Sequence, residues 1–203
     1  MRRYIYFVFL LCCAVNLLLT SCVRQKYVVM DMVHHNPGEA MTESKFLDPS
    51  FLKKNEYGAK VFFLFEAAQF GIDWKSFDPS LFPDTTEAGR WVAEKAEIIH
   101  KKYDAAKKED LQVYCMLDML VLPSLLVEKH RTELTNEQGK LDISKPYTQL
   151  CIRELMKEMF ETFPQLDGLV IRTGETYLHD APYYVGNHPV QNGMYDHITL
   201  INL

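Results

Sequence analysis

Four short apolar blocks recur along the chain and have the character of buried strands. Each is apolar along most of its length, which is typical of strands covered on both faces, and each ends in polar or ionisable residues. The predicted strands span residues 26–35, 61–66, 111–118 and 169–172. Such strands belong to a parallel sheet rather than to a sheet with one face open to water.

Helical patterns separate these blocks. Asp48 stands before a proline and Gly58 follows at the far end, which is the usual punctuation of a helix. A longer pattern opens at Thr85 or Thr86, and another follows Pro146. The last segment, residues 192–203, has the apolar spacing of one more helix. The alternation of strands and helices predicts an α/β protein.

Two α/β architectures fit four strands with helices between them, a half barrel and a doubly wound open sheet. The segment after the first predicted strand has one glycine and no dinucleotide fingerprint, and the chain has no P-loop pattern. We therefore predict a partial (β/α)8 TIM barrel of about four βα units around a parallel sheet. A flavodoxin-like sheet is the alternative.

The amino terminus predicts export and a lipid anchor. Arg2 and Arg3 precede an apolar stretch, and small residues lead to Cys22, as in the lipobox of bacterial lipoproteins. We expect residues 1–21 to be a signal peptide and Cys22 to be acylated, which ties the protein to a membrane. An ordinary signal peptide or an uncleaved anchor is the alternative. The residues after Cys22 are not acidic, which favours the outer membrane within the cell envelope.

The remaining chain, residues 22–203, is long enough for one domain but short for a barrel. A complete barrel takes about 250 residues and eight strands. We expect the truncated, N-terminal half of a barrel, with self-association through the open edge of the sheet; an independent small domain is the alternative. The whole chain carries a net charge of −5, so nucleic acid is not an expected partner. Cys115 and Cys151 are expected to be buried free thiols.

In parallel barrels the chemistry lies at the carboxyl ends of the strands. The predicted rim of substrate-binding residues comprises His34, His35, Asn36, Glu66, Asp118, Arg172, Tyr177, His179 and Asp180, with Glu175 beside them. Carboxylates, histidines and aromatic faces suit sugars, and Trp74 in a loop could join them. Neither a metal nor a cofactor is predicted. In the alternative, Glu175 caps the following turn or pairs with Arg172, and Glu66 and Asp118 only bond neighbouring backbone amides.

One segment resembles a known class of enzymes. The run "SKPYTQLCIRELMKEMFETFPQLDGLVIRTGE" is similar to the helix and fourth strand of glycoside hydrolase barrels of the α-glucuronidase and β-hexosaminidase type, and "VVMDMVHHNPGE" resembles their first strand and loop. The resemblance covers roughly residues 26–187 and extends to exported lipoproteins of the Bacteroidetes type. It implies that Glu175 is the general acid, with Gly174 in the place of the usual Asp or Asn.

The expected function follows from that resemblance. It implies an exported lipoprotein that hydrolyses or binds the glycosidic linkages of an oligosaccharide or polysaccharide. The protein is expected to act as a glycoside hydrolase when the other half of a barrel is supplied. The half barrel by itself is expected to be incomplete as a catalyst. The alternative is a non-catalytic surface or periplasmic lipoprotein that binds a glycan or a protein.

Overall fold

A parallel sheet whose strands follow chain order organises the part of the protein that the structure describes. The computed structural model describes residues 29–31, 44–173, 176, 178 and 181–203. Its strands are β1 (Met30–Asp31), β2 (Ala59–Phe62), β3 (Gln112–Asp118), β4 (Val121–Pro123), β5 (Gly168–Arg172) and β6 (Tyr184–Gly186). The parallel sheet has the order β1-β2-β3-β5. The rest of the predicted first strand lies outside the described residues.

This strand order distinguishes the two predicted architectures. In a doubly wound sheet the first strand would lie between later ones. Here each parallel strand pairs with the next one along the chain, through register positions such as Lys60 with Val113 and Cys115 with Leu169. The prediction of an α/β fold with the arrangement of a partial (β/α)8 barrel is confirmed.

Helices begin within two residues of each start that the sequence predicts, and the segment between β4 and Pro146 contains two further short helices that the sequence does not predict. The helices are α1 (Pro49–Lys54), α2 (Glu87–Lys108), α3 (Ser124–Lys129), α4 (Arg131–Leu134), α5 (Pro146–Thr162) and α6 (Met194–Ile201). The Asp48 carboxylate accepts a hydrogen bond from the Ser50 amide at 2.9 Å, and the Thr86 hydroxyl accepts one from the Gly89 amide at 3.0 Å. Both contacts satisfy amides that a helix start leaves without partners. Among the described helices, none has both the length and the apolar character needed to span a membrane.

The second strand is shorter than predicted. β2 ends at Phe62, whereas the apolar pattern predicts a strand to Glu66. Leu64 has a φ of 53°, in the left-handed region that a strand cannot contain, and Leu64–Glu66 forms a 3-10 turn. The continuous apolar run therefore does not mark a longer strand, because its second half forms a turn that is only partly buried, with Phe65 40 % exposed.

A short antiparallel ribbon joins the segments that follow β3 and β5. β4 pairs with β6, with Val121 opposite Gly186 and Pro123 opposite Tyr184. The Asn187 amide extends the pairing by donating to the Leu120 carbonyl at 3.1 Å. The sequence pattern does not predict this ribbon. It brings together the connections that leave the carboxyl ends of two neighbouring strands.

Aromatic side chains fill the core beneath the ribbon. Tyr184 of β6 packs edge-on against Phe70 with ring centroids 5.0 Å apart, and stacks on Phe82 at 5.7 Å. Trp74 is fully buried in the same core. The suggestion that Trp74 lines a sugar site is therefore wrong, because its indole ring has no exposed surface.

The edge strand β5 is more exposed than the neighbouring strand β3. Ile171 of β5 is 42 % exposed, whereas Val113, Cys115 and Leu117 of the neighbouring β3 are fully buried. An apolar edge of this kind is a site at which another strand or copy can pair. Self-association through this edge stays a prediction.

Candidate functional site

Two residues of the predicted rim that the structure describes form a largely buried ion pair. Asp118 ends β3 and Arg172 ends β5, and the two occupy paired positions in the sheet. The guanidinium Nη1 of Arg172 lies 3.2 Å from Oδ1 of Asp118, and the two side chains are 17 % and 1 % exposed, respectively. A carboxylate this deeply buried is tolerated only with a cation and hydrogen bonds to offset its desolvation. Register in the sheet thus places a compensated charge pair at the carboxyl end of the strands.

The same carboxylate also holds the connection that follows β5. The Leu178 amide donates a hydrogen bond to Oδ2 of Asp118 at 3.2 Å. Arg172 and Leu178 therefore both contact Asp118, one before and one after the acidic position predicted to be catalytic. Glu175 and Tyr177 lie between these two contacts in the sequence and outside the described residues.

Glu66 makes its described contacts with a helix rather than with the rim pair. Its carboxylate forms an ion pair with Lys102 of α2, and its backbone carbonyl accepts a hydrogen bond from the Tyr103 hydroxyl at 3.0 Å. The 3-10 turn at Leu64–Glu66 accounts for this direction, because it replaces the alternation of a strand. A sugar-binding role of Glu66 stays a prediction.

Among the described residues of the rim, Asp118 and Arg172 lie in contact. Sugar binding by the other predicted residues stays a prediction. Asp118 is 1 % exposed at its side chain, which suits a residue that holds the rim in shape. Its hydrogen bond with the Leu178 amide agrees with the alternative in which it bonds a neighbouring backbone group. The predicted positions outside the described residues are Cys22, His34, His35, Asn36, Glu175, Tyr177, His179 and Asp180.

A buried glutamine lies between the rim and the ribbon. Gln69 is fully buried, and its side-chain amide has no hydrogen-bond partner among the described residues. Its backbone carbonyl accepts a hydrogen bond from the Tyr184 hydroxyl at 3.3 Å, which ties the exit of β2 to β6. The fully buried position of Tyr184 raises the pKa of its hydroxyl above the ordinary value of 10.0. The hydroxyl therefore stays a neutral donor.

The described residues do not form a group of three or more histidines, cysteines or acidic side chains that could hold a metal ion.

The sequence pattern does not predict the ribbon or the contact between Leu178 and Asp118. Their sequence signal is weak, since β4 and β6 are three residues each and pair across a long separation. Segments of three residues are too short to show either the alternation of a strand or the 3.6-residue period of a helix.

Comparison with solved structures gives a loose structural likeness. No protein-family model matches the chain, and no curated protein matches it. The chain is similar to a solved structure of a noncanonic maltogenic α-amylase, AmyB, from Thermotoga neapolitana, with a TM-score of 0.44 and 15 % sequence identity. The likeness covers 77 % of this chain and 41 % of that chain, so this chain spans less than half of the amylase. A likeness this loose assigns no activity and no residue role.

Proposed function

We propose that the protein is an exported, lipid-anchored relative of glycoside hydrolases that binds an oligosaccharide at the carboxyl-end rim, with Glu175 as the general acid. The observation that carries the proposal is the double contact of Asp118 with Arg172 and Leu178. It ties Leu178, which follows Glu175 in the sequence, to the end of β3. In parallel α/β folds of this arrangement, that edge of the sheet is where catalytic and binding residues lie.

The charge balance of the rim is consistent with an acid at Glu175. A general acid must hold its proton at working pH, and an uncompensated cation beside it would favour the ionised carboxylate. Asp118 offsets the positive charge of Arg172, the cation that precedes Glu175 in the sequence. The pair therefore removes a net positive charge that would oppose the proposed role.

The second candidate is a glycan-binding lipoprotein without catalysis, and one observation favours it. Glycoside hydrolysis usually needs two carboxyl groups about 5 to 10 Å apart on either side of the bond. Of the predicted rim carboxylates that the structure describes, Glu66 pairs with Lys102 and Asp118 pairs with Arg172. Both are engaged in ion pairs, whereas hydrolysis would need a second carboxylate that faces the substrate.

An assay with aryl glycosides tests the catalytic proposal. The full chain and Glu175→Gln are compared on substrates with good and poor leaving groups, with Glu161→Gln on the exposed face of α5 as the control. Loss of the general acid should slow cleavage of poor leaving groups far more than of good ones, because only poor ones need protonation. An equal, small effect on both would show that Glu175 is not the acid. Binding of oligosaccharides without any cleavage, both by the chain alone and after the other half of a barrel is supplied, would favour the second candidate.

The anchor is tested separately. Cys22→Ala should move the protein out of the membrane fraction or leave its signal peptide attached, whereas Cys151→Ala should do neither. Acyl chains contribute about 0.8 kcal/mol for each buried CH2, so their loss removes the attachment. Unchanged membrane retention with normal cleavage of the leader would contradict lipidation, whatever the outcome of the glycoside assay.

A further inference from the structure

A polar cleft lies between two segments on the carboxyl-end side of the sheet. One wall is the hairpin turn after α4, and the other is the segment between β6 and α6. Its volume is about 660 Å3, and its walls include Asn136, Lys140, Asp142, Asn187, Gln191 and Asn192. Small-molecule sites have volumes in this range but are mostly apolar. A cleft of this composition therefore suits a polar ligand.

The hairpin wall is fixed by its own asparagine. Thr135 and Leu141 form an antiparallel bridge, and the turn between them passes through Gly139 at a φ of 74°. The Asn136 side-chain oxygen accepts hydrogen bonds from the backbone amides of Gln138 and Lys140, both at 3.0 Å. The asparagine amide nitrogen is thereby aimed across the cleft, where it donates to Oε1 of Gln191 at 2.9 Å.

The opposite wall is fixed to the same hairpin. The Asn187 side chain accepts from the Leu141 amide at 2.8 Å and donates to the Leu141 carbonyl at 3.0 Å, and Gln191 Nε2 donates to that carbonyl at 2.6 Å. The buried Asp196 carboxylate accepts from the backbone amides of Gln191 and Asn192, each at 2.6 Å. The cleft amides are thus held in place before any ligand arrives, which lowers the entropic cost of binding.

The held amides keep hydrogen-bonding capacity. A side-chain NH2 group has two donor hydrogens. In the described contacts, Asn136 Nδ2 and Gln191 Nε2 each use one of these hydrogens. The Asp142 carboxylate accepts from Ser144 through Oδ1, so its second oxygen can accept from a ligand. The cleft thus combines fixed donors with a fixed acceptor.

The charges of the lining select among polar ligands. Glu137 and Asp142 contribute two carboxylates and Lys140 one ammonium group, so the lining does not favour an anion. Nucleic acid and phosphorylated ligands would meet net negative charge. Sugar hydroxyls both donate and accept, which matches the mixed amide and carboxylate lining.

We infer that this cleft binds a neutral sugar unit of an oligosaccharide, as a second binding site beside the rim. The inference rests on the proposed function for its ligand class. Both walls belong to connections that follow β3 and β5, and Asn187 bonds Leu120, two residues after Asp118. The cleft therefore lies in the same layer of connections as the rim, where an extended glycan can reach both.

Titration of the full chain with neutral hexasaccharides tests the cleft. Maltohexaose, cellohexaose and xylohexaose are used as probes in isothermal titration calorimetry. Gln191→Ala and Asn192→Ala are expected to weaken binding of the preferred probe about tenfold and a few-fold, respectively. The first removes an amide held at both ends, whereas the second removes an amide whose described contact is a 3.4 Å hydrogen bond to Oδ1 of Asp196. The matched control is Gln112→Ala, at the amino end of β3, which should bind as the parent does. Asn192→Ala leaves the Leu141 contacts intact, so it reports on binding even where Gln191→Ala unfolds the wall.

The outcomes separate the cleft from the proposed function. Binding that both cleft variants leave unchanged overturns the cleft and leaves a glycan function standing. Cleavage of aryl glycosides without binding of any hexasaccharide has the same consequence. Neither binding nor cleavage by the parent overturns both proposals. Cleft-dependent binding of oligogalacturonate or of a peptide in place of a neutral sugar overturns the ligand class.

Discussion

Asp118 and Arg172 occupy paired positions at the ends of neighbouring parallel strands. Nη1 of Arg172 lies 3.2 Å from Oδ1 of Asp118, and the aspartate side chain is 1 % exposed. Removal of the cation would leave a buried charge without its counterion. Arg172→Met is therefore expected to lower the free energy of unfolding by about 3–5 kcal/mol, measured by urea denaturation.

The matched exposed pair supplies the control. Glu97 and Lys101 are one helical turn apart on α2, with side chains 68 % and 72 % exposed. Lys101→Met should cost less than about 0.5 kcal/mol, because water already solvates both groups. A double variant, Asp118→Asn with Arg172→Met, should recover part of the loss. Equal losses of unfolding free energy in Lys101→Met and Arg172→Met would contradict a structural role of the buried pair.

Gly89 offers a prediction in which packing and helix propensity have opposite signs. A Cβ atom at this position would lie 2.1 Å from the Pro83 carbonyl oxygen and 3.0 Å from that of Phe82. Alanine favours a helix over glycine by about 1 kcal/mol, but overpacking against backbone costs about 1–3 kcal/mol. Gly89→Ala is therefore expected to lower the free energy of unfolding.

The reverse exchange on the same helix isolates propensity. Ala93 is exposed on α2, so Ala93→Gly should cost about 1 kcal/mol through propensity alone. Both exchanges should thus destabilise the protein in chemical denaturation. A gain of stability in Gly89→Ala would show that the segment before α2 moves aside.

The two described cysteines should be unreactive in the native protein. Burial raises the pKa of the Cys115 thiol to about 11 and that of Cys151 to about 12. Cys115 also accepts a hydrogen bond from the Ala68 amide at 3.2 Å. Because the thiolate is the reactive form, iodoacetamide at about pH 8 should modify neither residue, while both should react in guanidinium chloride. Peptide mass spectrometry measures each site, and rapid native labelling of Cys115 would contradict its burial.

The fold was predictable where a local signal and the tertiary environment agree. The Thr86 cap marks the start of α2, and the buried apolar run of β3 marks the strand within one residue. The end of β2 was not predictable, because Leu64 adopts a left-handed backbone that its apolar neighbours do not signal. The apolar pattern of the sequence indicates which residues are apolar neighbours of a strand, but it does not show where the strand gives way to a turn.

The candidate site was predictable only as a set of strand ends. Asp118 and Arg172 each follow an apolar run, but their pairing depends on the register between β3 and β5, which the sequence does not state. The direction of Glu66 toward Lys102 depends on the turn after β2. The amides of Asn136 and Gln191 meet across the cleft only because β4 and β6 bring their segments together.

Glu158 of α5 should make the stability of the protein depend on pH. Its side chain is buried beside the loop before α2, where the Ser76 hydroxyl donates a hydrogen bond to Oε1. Burial raises the pKa of Glu158 above its ordinary value of 4.5, and the carboxylate of Asp73 raises it further, while Ser76 and Lys157 act in the opposite direction. The folded state therefore binds the proton more tightly than the unfolded state.

The sign of the effect follows from that difference in proton binding. Between the unfolded pKa and the raised folded pKa, the folded state holds more protons, so the free energy of unfolding falls as pH rises. Glu158→Gln cannot ionise and keeps an oxygen acceptor for Ser76. The variant should therefore match the parent in melting temperature near pH 4 and exceed it near pH 8, where the parent buries a charge. Glu161→Gln, on the exposed face of the same helix, should show no such divergence. Thermal unfolding followed by circular dichroism across this pH range measures the melting temperature of both variants. If the difference in melting temperature between Glu158→Gln and the parent is the same at every pH, burial of Glu158 carries no proton linkage.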